Sequence, residues 1–161
     1  MPIVANELKY YESTNNLGGA FVATEIVDNV LHNLFDVVES SEAEVGAVNY
    51  RCIYLKNTNL SLVLANALVY IQSDTPYAKS TLGIGLGTSA INGTEQTIID
   101  ETTAPIGVTF NEAVGSEFGL LIGDLPANTT KALWLRRTIA ADSNATTDDT
   151  SSIGLQGDTA G

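Results

Sequence analysis

Apolar and polar positions alternate along much of this chain in a way that predicts β-strands. The run from Tyr50 to Ile71 has two long aliphatic and β-branched stretches on either side of the polar segment Lys56–Asn59, which is the pattern of a β-hairpin. Further short apolar runs alternate with turn residues, and short strands at this spacing favour a β-sandwich or a β-barrel. The expected strands span residues 48–56, 60–72, 80–86, 95–99, 106–111, 117–123, 130–139 and 150–156.

One segment, residues 25–38, has the periodicity of a helix. Apolar side chains recur at every fourth position from Ile26 to Val38, which would place them on one helical face. We therefore expect at most one short helix, near residues 25–38. Two asparagines and a histidine in this segment are poor helix formers, so a strand followed by a short helical turn is the alternative. The acidic cluster Glu39–Glu44 is expected to be a solvated loop.

The first 18 residues are expected to form an extended N-terminal arm or an edge strand. Apolar and polar side chains alternate around Leu8 and Tyr10, and a glycine- and asparagine-rich turn follows. No internal repeat or linker divides the remainder, so we expect residues 19–161 to form a single β-sandwich domain. An arm such as Met1–Tyr11 is suited to adding a strand to a neighbouring subunit.

The charge balance argues against two classes of partner. The chain of 161 residues has 19 acidic and seven basic side chains and a net charge of −12 at pH 7. Such a negative field repels phosphate backbones and anionic membrane surfaces, so we expect no nucleic acid and no membrane among the partners. The longest apolar run, Leu60–Ile71, is too short to span a bilayer. The N-terminus lacks the pattern of a secretory signal, which indicates synthesis in a cytoplasm.

The usual patterns of catalysis and cofactor binding are missing from the sequence. The single cysteine, Cys52, lies in an expected strand, where a small buried side chain is the common explanation. The single histidine, His32, has no indicated partner for acid–base catalysis. Gly83, Gly85 and Gly87 lack the third glycine of a dinucleotide-binding loop, so we interpret them as sites of close strand packing. We therefore expect no enzyme activity and no cofactor.

The segment 140–150 contains the one candidate metal site. Asp142, Asn144, Asp148 and Asp149 carry oxygen ligands of the kind that calcium prefers. Their spacing differs from that of a calcium-binding loop, so a solvated acidic loop is favoured and we expect no bound metal.

Two adjacent arginines are the one local basic feature. Successive residues of a strand face opposite sides, so we expect either Arg136 or Arg137 on the side of Trp134 and the other on the opposite side. The simplest interpretation is stacking on an aromatic ring or pairing with an acid. The competing one is a protein interface, because Arg and Trp are enriched at interaction hot spots. The candidate interface residues are Trp134, Arg136 and Arg137, with Tyr10 and Tyr11 of the arm.

Four segments carry a resemblance to a known class of proteins. They are NLFD from Asn33, YRCIYLKN from Tyr50, APIGVTF from Ala104 and LWLRRT from Leu133. Over about residues 29–158 the chain resembles small virion structural proteins of tailed bacteriophages, of the head decoration or cement type. The resemblance implies an immunoglobulin-like or jelly-roll β-sandwich. It also implies a protein that binds the exterior of the assembled capsid and stabilises it, with the major capsid protein lattice and itself, as a homotrimer, for partners.

A second function suits the same scaffold, namely a carbohydrate- or host-surface-binding β-sandwich on a phage tail or fibre. Such sites present exposed aromatic platforms, and Trp134 with the six tyrosines makes a platform conceivable. A hydrolase with paired carboxylates is the third hypothesis, but 19 acidic residues nominate no particular pair. We therefore expect a capsid-binding protein first.

Overall fold

The computed structural model describes residues 1–145 and 149–159 and shows an all-β, sandwich-like fold. Its helical segments are one α-helix, α1 (Ser40–Val45), and single 3-10 turns at Ala5–Glu7, Thr14–Asn16 and Ser116–Phe118. None of the helices within the described residues has the length and apolar character needed to cross a membrane. The strands are β1 (Leu8–Ser13), β2 (Gly18–Gly19), β3 (Phe21–Glu25), β4 (Ala47–Asn57), β5 (Leu64–Ser73), β6 (Ser80–Leu86), β7 (Glu95–Thr97), β8 (Leu120–Leu125), β9 (Thr129–Ile139) and β10 (Ser152–Thr159).

The strands form two main antiparallel sheets. One has five strands in the order β3-β1-β4-β9-β6, and the other has three in the order β10-β5-β8. Strands β2 and β7 form a separate two-stranded sheet. At the centre of the larger sheet, β4 and β9 pair without a break from Ala47 opposite Ile139 to Asn57 opposite Thr129.

The two central strands are buried on both faces. On one face Ile53 and Leu55 of β4 pack with Val69 and Ile71 of β5, and this is the core between the two main sheets. On the other face a second cluster of buried side chains contains Cys52, Tyr54, Ile98, Ala132 and Trp134. Because alternate strand residues point to opposite sides, burial of both faces explains the unbroken apolar runs at the centre of these strands, Cys52–Leu55 in β4 and Ala132–Leu135 in β9.

The predicted hairpin over Tyr50–Ile71 is wrong. Both strands form, but β4 pairs with β1 and β9, whereas β5 belongs to the other sheet and pairs with β8 and β10. The polar segment between them carries the chain from one sheet to the other. Asn57 is fully buried there, and its amide donates to the carbonyls of Leu62 and Leu125 at 2.9 and 3.1 Å.

The helix expected near residues 25–38 is also wrong. β3 ends at Glu25, and a loop of turns follows, in which Asn29 and His32 have φ values of 59° and 55°. Positive φ is incompatible with a right-handed helix. Helix α1 instead lies in the acidic cluster predicted as a loop. The Glu42 carboxylate accepts the backbone N–H of Glu39 at 2.8 Å at its N-terminus, and Gly46, with a φ of 85°, ends it.

The N-terminal strand forms, but it is an inner strand. β1 pairs with β4 from Leu8 opposite Asn57 to Glu12 opposite Ile53, and with β3 on its other side. The edge is therefore β3, and the backbone of residues 8–11 is already hydrogen-bonded within this chain. This corrects the expectation that Tyr10 and Tyr11 belong to an arm free to pair with a neighbouring subunit.

The remaining strands follow the predictions to different degrees. β6 has the predicted bounds, and β9 begins one residue earlier than expected. The strand predicted over 106–111 does not form, apart from a bridge between Asn111 and Ile84. Pro105 supplies no N–H for a sheet, and Gly107 has a φ of 74°, so the backbone turns there.

Candidate functional site

A cleft of about 1330 Å³ opens between the loop of residues 26–38 and the larger sheet. Side chains from three strands line its sheet side, namely Ile53 of β4, Leu82 of β6, and Leu135 and Ile139 of β9. Opposite them stands the 26–38 loop, and the start of β10 closes one side. These four side chains are buried, so the cleft borders the core of the protein without opening it to solvent.

The 26–38 loop carries large apolar side chains into solvent. Val27, Val30, Leu31 and Val37 are 59%, 53%, 67% and 53% exposed. Single exposed aliphatic residues are ordinary, but these four lie within eleven positions and all line the same cleft, and we call them the apolar patch. Such patches in a folded protein mark surfaces that other molecules cover.

Two arginines and a phenylalanine hold this loop against the sheet. The Phe35 ring lies beneath the guanidinium groups of Arg51 and Arg137, whose Cζ atoms are 5.4 and 4.9 Å from the ring centroid. Arg51 Nε donates to the carbonyl of Leu34 at 3.1 Å, and Arg137 Nη1 donates to the carbonyl of Asp36 at 2.7 Å. We call Phe35, Arg51 and Arg137 the Arg–Phe cluster. It fixes the second half of the loop.

Acidic and amide groups compensate the charges of this cluster. Arg51 Nη2 lies 2.5 Å from Glu101 Oε2, and both arginines approach Asp36 Oδ1 at 3.5 Å. Arg137 also donates to Asn49 Oδ1 from Nε and Nη2, at 3.3 and 2.9 Å. Burial lowers the pKa of Arg137, and the nearby Asp36 opposes that shift. An arginine titrates far above neutral pH, so the guanidinium of Arg137 stays charged despite this burial.

Of the predicted interface residues, the structure brings Tyr10 and Arg137 to the cleft. Tyr10 is half-buried, its hydroxyl donates to the carbonyl of Ile153 at 3.3 Å, and burial raises its pKa to about 12. Arg137 belongs to the Arg–Phe cluster. Both side chains stabilise the walls of the cleft through contacts within the chain.

Tyr11, Trp134 and Arg136 lie on the other face of the larger sheet. Trp134 is fully buried, which corrects its assignment as a surface hot spot. Tyr11 packs against Phe21 with ring centroids 5.1 Å apart. The Arg136 guanidinium lies 4.9 Å from the centroid of the Phe110 ring and pairs with the carboxylate of Glu112. The simpler interpretation of the arginines, stacking on a ring and pairing with an acid, is thus confirmed for both.

A buried carboxylate that the sequence did not single out organises that second face. Glu95 is 3% exposed and accepts hydrogen bonds from the N–H and hydroxyl of Thr88, the N–H of Ser89 and the indole of Trp134, at 2.8–3.3 Å. Burial alone would raise the pKa of Glu95, but the hydrogen bonds from Ser89 and Thr88 outweigh it and lower the pKa to about 2. The charged carboxylate of Glu95 therefore stabilises the fold.

The side chains considered for catalysis or metal binding lie in different environments. Cys52 is fully buried, and burial raises its pKa to about 12, so its reactive thiolate does not form near neutral pH. His32 is exposed on the loop. Within the described residues, no three His, Cys, Asp or Glu side chains are grouped so as to hold a metal ion. Asp148, one of the calcium candidates, lies outside the described residues.

The alternate glycines of β6 occupy crowded positions, as their interpretation as packing sites predicts. A Cβ on Gly85 would lie 2.5 Å from Val108 Cγ1 and 2.8 Å from the carbonyl of Thr109. A Cβ on Gly87, just beyond β6, would lie 2.5 Å from Glu95 Oε2. These glycines let neighbouring chain segments approach the sheet.

Comparisons with protein-family models, with curated proteins and with solved structures find no match to this chain.

Proposed function

We propose that this chain is a structural virion protein that binds the exterior of an assembled phage capsid and stabilises it. The observation that carries the proposal is the exposed apolar patch on the 26–38 loop, which lines the cleft and whose loop is held to the sheet at its second half by the Arg–Phe cluster. A surface of this kind gains free energy when another protein covers it. The capsid as the covering partner comes from the resemblance to decoration proteins.

The energetics suit a protein that works in many copies. Fully burying one Val or Leu side chain contributes about 1.5–3 kcal/mol, so the loop alone supplies several kcal/mol per contact. Because the Arg–Phe cluster already orders the second half of the loop, binding loses less conformational entropy there. A protein that binds the assembled lattice and not its free subunits stabilises the lattice by mass action.

The burial of the tryptophan and tyrosine side chains, the rings considered for a sugar platform, favours this proposal over a carbohydrate-binding module, and Phe118 is the one phenylalanine with a largely exposed ring among the described residues. Trp134 is fully buried, Tyr54 is buried, and each of the other five tyrosines is partly buried. A sugar platform needs an exposed ring face. A glycan array with the purified protein tests this choice. Binding to specific sugars would support the tail or fibre alternative.

Co-sedimentation with capsids of a phage that encodes this chain tests the proposal. The variant Leu31→Asp places a charge in the apolar patch, and Leu60→Asp does the same at an exposed residue outside the cleft. We expect the wild type and Leu60→Asp to sediment with capsids and Leu31→Asp to stay in the supernatant. Equal sedimentation of both variants, or no binding by the wild type, would contradict the proposal.

Imaging of the decorated particles tests the location and the copy arrangement. We expect density for the chain on the outer surface of the capsid, grouped in threes if it acts as the homotrimer that the resemblance implies. Density on the tail alone would favour the alternative.

A further inference from the structure

The basic side chains of this protein are already engaged within the chain. Lys9 pairs with Glu25, and Lys56 lies over the rings of Tyr11 and Phe21. Lys79 donates to one backbone carbonyl and Lys131 to two. The three arginines form the ion pairs and ring contacts described above. All seven basic side chains of the sequence are thereby accounted for.

The rim of the cleft carries negative charge. Asp28, Glu44 and Asp142 line it, are exposed, and form no ion pair with another described residue. Two basic side chains also reach the cleft. Lys79 donates to the carbonyl of Ala141 at 3.1 Å, and Arg137 is held by Asn49 and Asp36. The cleft thus combines the apolar patch, polar side chains and an acidic rim.

We infer that the cleft receives a segment of the partner protein in which apolar residues are flanked by Lys or Arg. This inference rests on the proposed function, that the chain acts by binding another protein. Covering the rim with a neutral or acidic surface would leave carboxylates desolvated and unpaired, which costs free energy. A segment with lysines or arginines beside its apolar side chains satisfies both features.

A second copy of this chain is a poor occupant for the same reason. It would bring another net charge of −12 to the acidic rim, and its own basic side chains are engaged. Like charges brought together at an interface select against the wrong partner. Any homotrimer would therefore form through a different surface.

Two synthetic peptides of equal length test the inference, one alternating Leu with Lys and the other Leu with Glu. Fluorescence anisotropy of the labelled peptides is measured with the full chain. We expect the Leu/Lys peptide to bind, with an affinity that falls roughly tenfold between about 0.05 and 0.5 M salt because screening shortens the reach of the charges. We expect the Leu/Glu peptide not to bind, and Leu31→Asp to abolish binding of the Leu/Lys peptide.

A pair of charge variants separates the cleft from the overall charge. Asp28→Asn/Asp142→Asn removes two charges at the cleft, and Asp124→Asn/Asp158→Asn removes two exposed charges elsewhere. Both change the net charge equally. We expect the first pair to weaken Leu/Lys binding by roughly tenfold, and the second to change it about twofold or less.

Three results would overturn the inference: equal binding of the two peptides, equal effects of the two charge variants, or self-association of the wild type that Leu31→Asp removes. The capsid experiment tests the proposed function independently of the peptide experiment. If Leu31→Asp loses capsid binding while the Leu/Lys peptide does not bind, the proposed function stands and the partner chemistry is wrong. If the peptide binds the cleft and capsids do not bind the chain, the inference stands and the proposed function fails.

Discussion

Glu95 shows how one acidic residue among many acquires a definite role. Four donors from Thr88, Ser89 and Trp134 converge on its carboxylate, and its own N–H donates to the Tyr54 hydroxyl at 3.1 Å. It therefore connects the loop after β6 to the buried face of β4 and β9. The hydrogen bonds offset the free-energy cost of removing the carboxylate from water, and a charge is buried in a protein only where such compensation exists.

We expect Glu95→Gln to destabilise the protein by about 2 kcal/mol at pH 7, because an amide replaces a charged acceptor. The folded-state pKa of Glu95, about 2, lies below its ordinary value of 4.5, so its stabilising contribution is present above about pH 4.5 and is lost as the pH falls toward 2. The wild type should thus lose more stability over that range than Glu95→Gln. Urea unfolding followed by Trp134 fluorescence measures both.

The exposed Glu117 supplies the matched control for Glu95. Glu117→Gln should change the free energy of unfolding by less than about 0.5 kcal/mol at pH 7. Parallel pH profiles for wild type and Glu95→Gln would show that the buried carboxylate is not the group that titrates.

Phe35 is the residue on which the 26–38 loop depends. We expect Phe35→Leu to keep an apolar side chain but lose the ring face under Arg51 and Arg137, at a cost of about 1 kcal/mol. Amide hydrogen exchange in residues 26–38 should accelerate, and exchange in β4 and β9 should not. Phe118→Leu, at a 52% exposed ring, is the control. Unchanged exchange in the loop would mean that the hydrogen bonds to Leu34 and Asp36 hold it without the ring.

At the scale of elements, β1 decides whether the N-terminus can act as an arm. It pairs with β4 on one side and with β3 on the other, so β3 reaches the sheet only through β1. The side chain of Tyr10 packs against the inter-sheet core as well. The segment therefore contributes to the fold before it can contribute to any interface.

We expect deletion of residues 1–11 to disrupt the fold, because it removes most of β1 and leaves β3 with only the pair between Ser13 and Phe21. Far-UV circular dichroism and thermal unfolding should show loss of the cooperative transition. Deletion of Met1 and Pro2, which are both exposed, is the control and should leave the transition within about 2 °C, the effect of a fraction of a kcal/mol. A folded protein after the longer deletion would restore the arm hypothesis.

At the scale of the whole molecule, the charge distribution dominates association. The 19 acidic side chains outnumber the seven basic ones, which gives an outward field that is mainly negative. Such a field keeps copies apart at low ionic strength and attracts basic partners. The two kinds of association should respond to salt in opposite directions.

We therefore expect any self-association, including the proposed homotrimer, to strengthen as salt rises from about 0.01 to 0.3 M, because screening weakens the repulsion between copies. Sedimentation velocity at several salt concentrations measures it. Binding of the Leu/Lys peptide provides the internal comparison, since it should weaken over the same range. Self-association that weakens with salt would contradict this prediction, because it would show that opposite charges attract the copies to one another.

The strands were predictable to the extent that they depend on local pattern. β6 and β9 were found nearly to the residue because their apolar runs end at turn residues. Strand alternation predicted that Arg136 and Arg137 face opposite sides, whereas the choice between an interface and stacking with pairing was left open by the sequence and is made by the structure. The loop at 26–38 was missed because its fourfold spacing imitates a helix, although its two asparagines and its histidine indicated otherwise. No signal in the sequence distinguished Glu95 from the other acids.

By itself, the sequence determined that the chain forms β-strands, that it is strongly acidic, and that Cys52 is a buried side chain. The strands follow from the alternation of apolar and polar residues over a few positions, and the net charge follows from the composition of the whole chain. The burial of Cys52 follows from its residue type within a strand. The tertiary structure decided that β4 and β5 pair in different sheets, that β1 is an inner strand, and that Trp134 is core while Val30 and Leu31 are exposed. Those outcomes depend on contacts between residues far apart in sequence, and a local pattern does not specify which distant segment a strand meets.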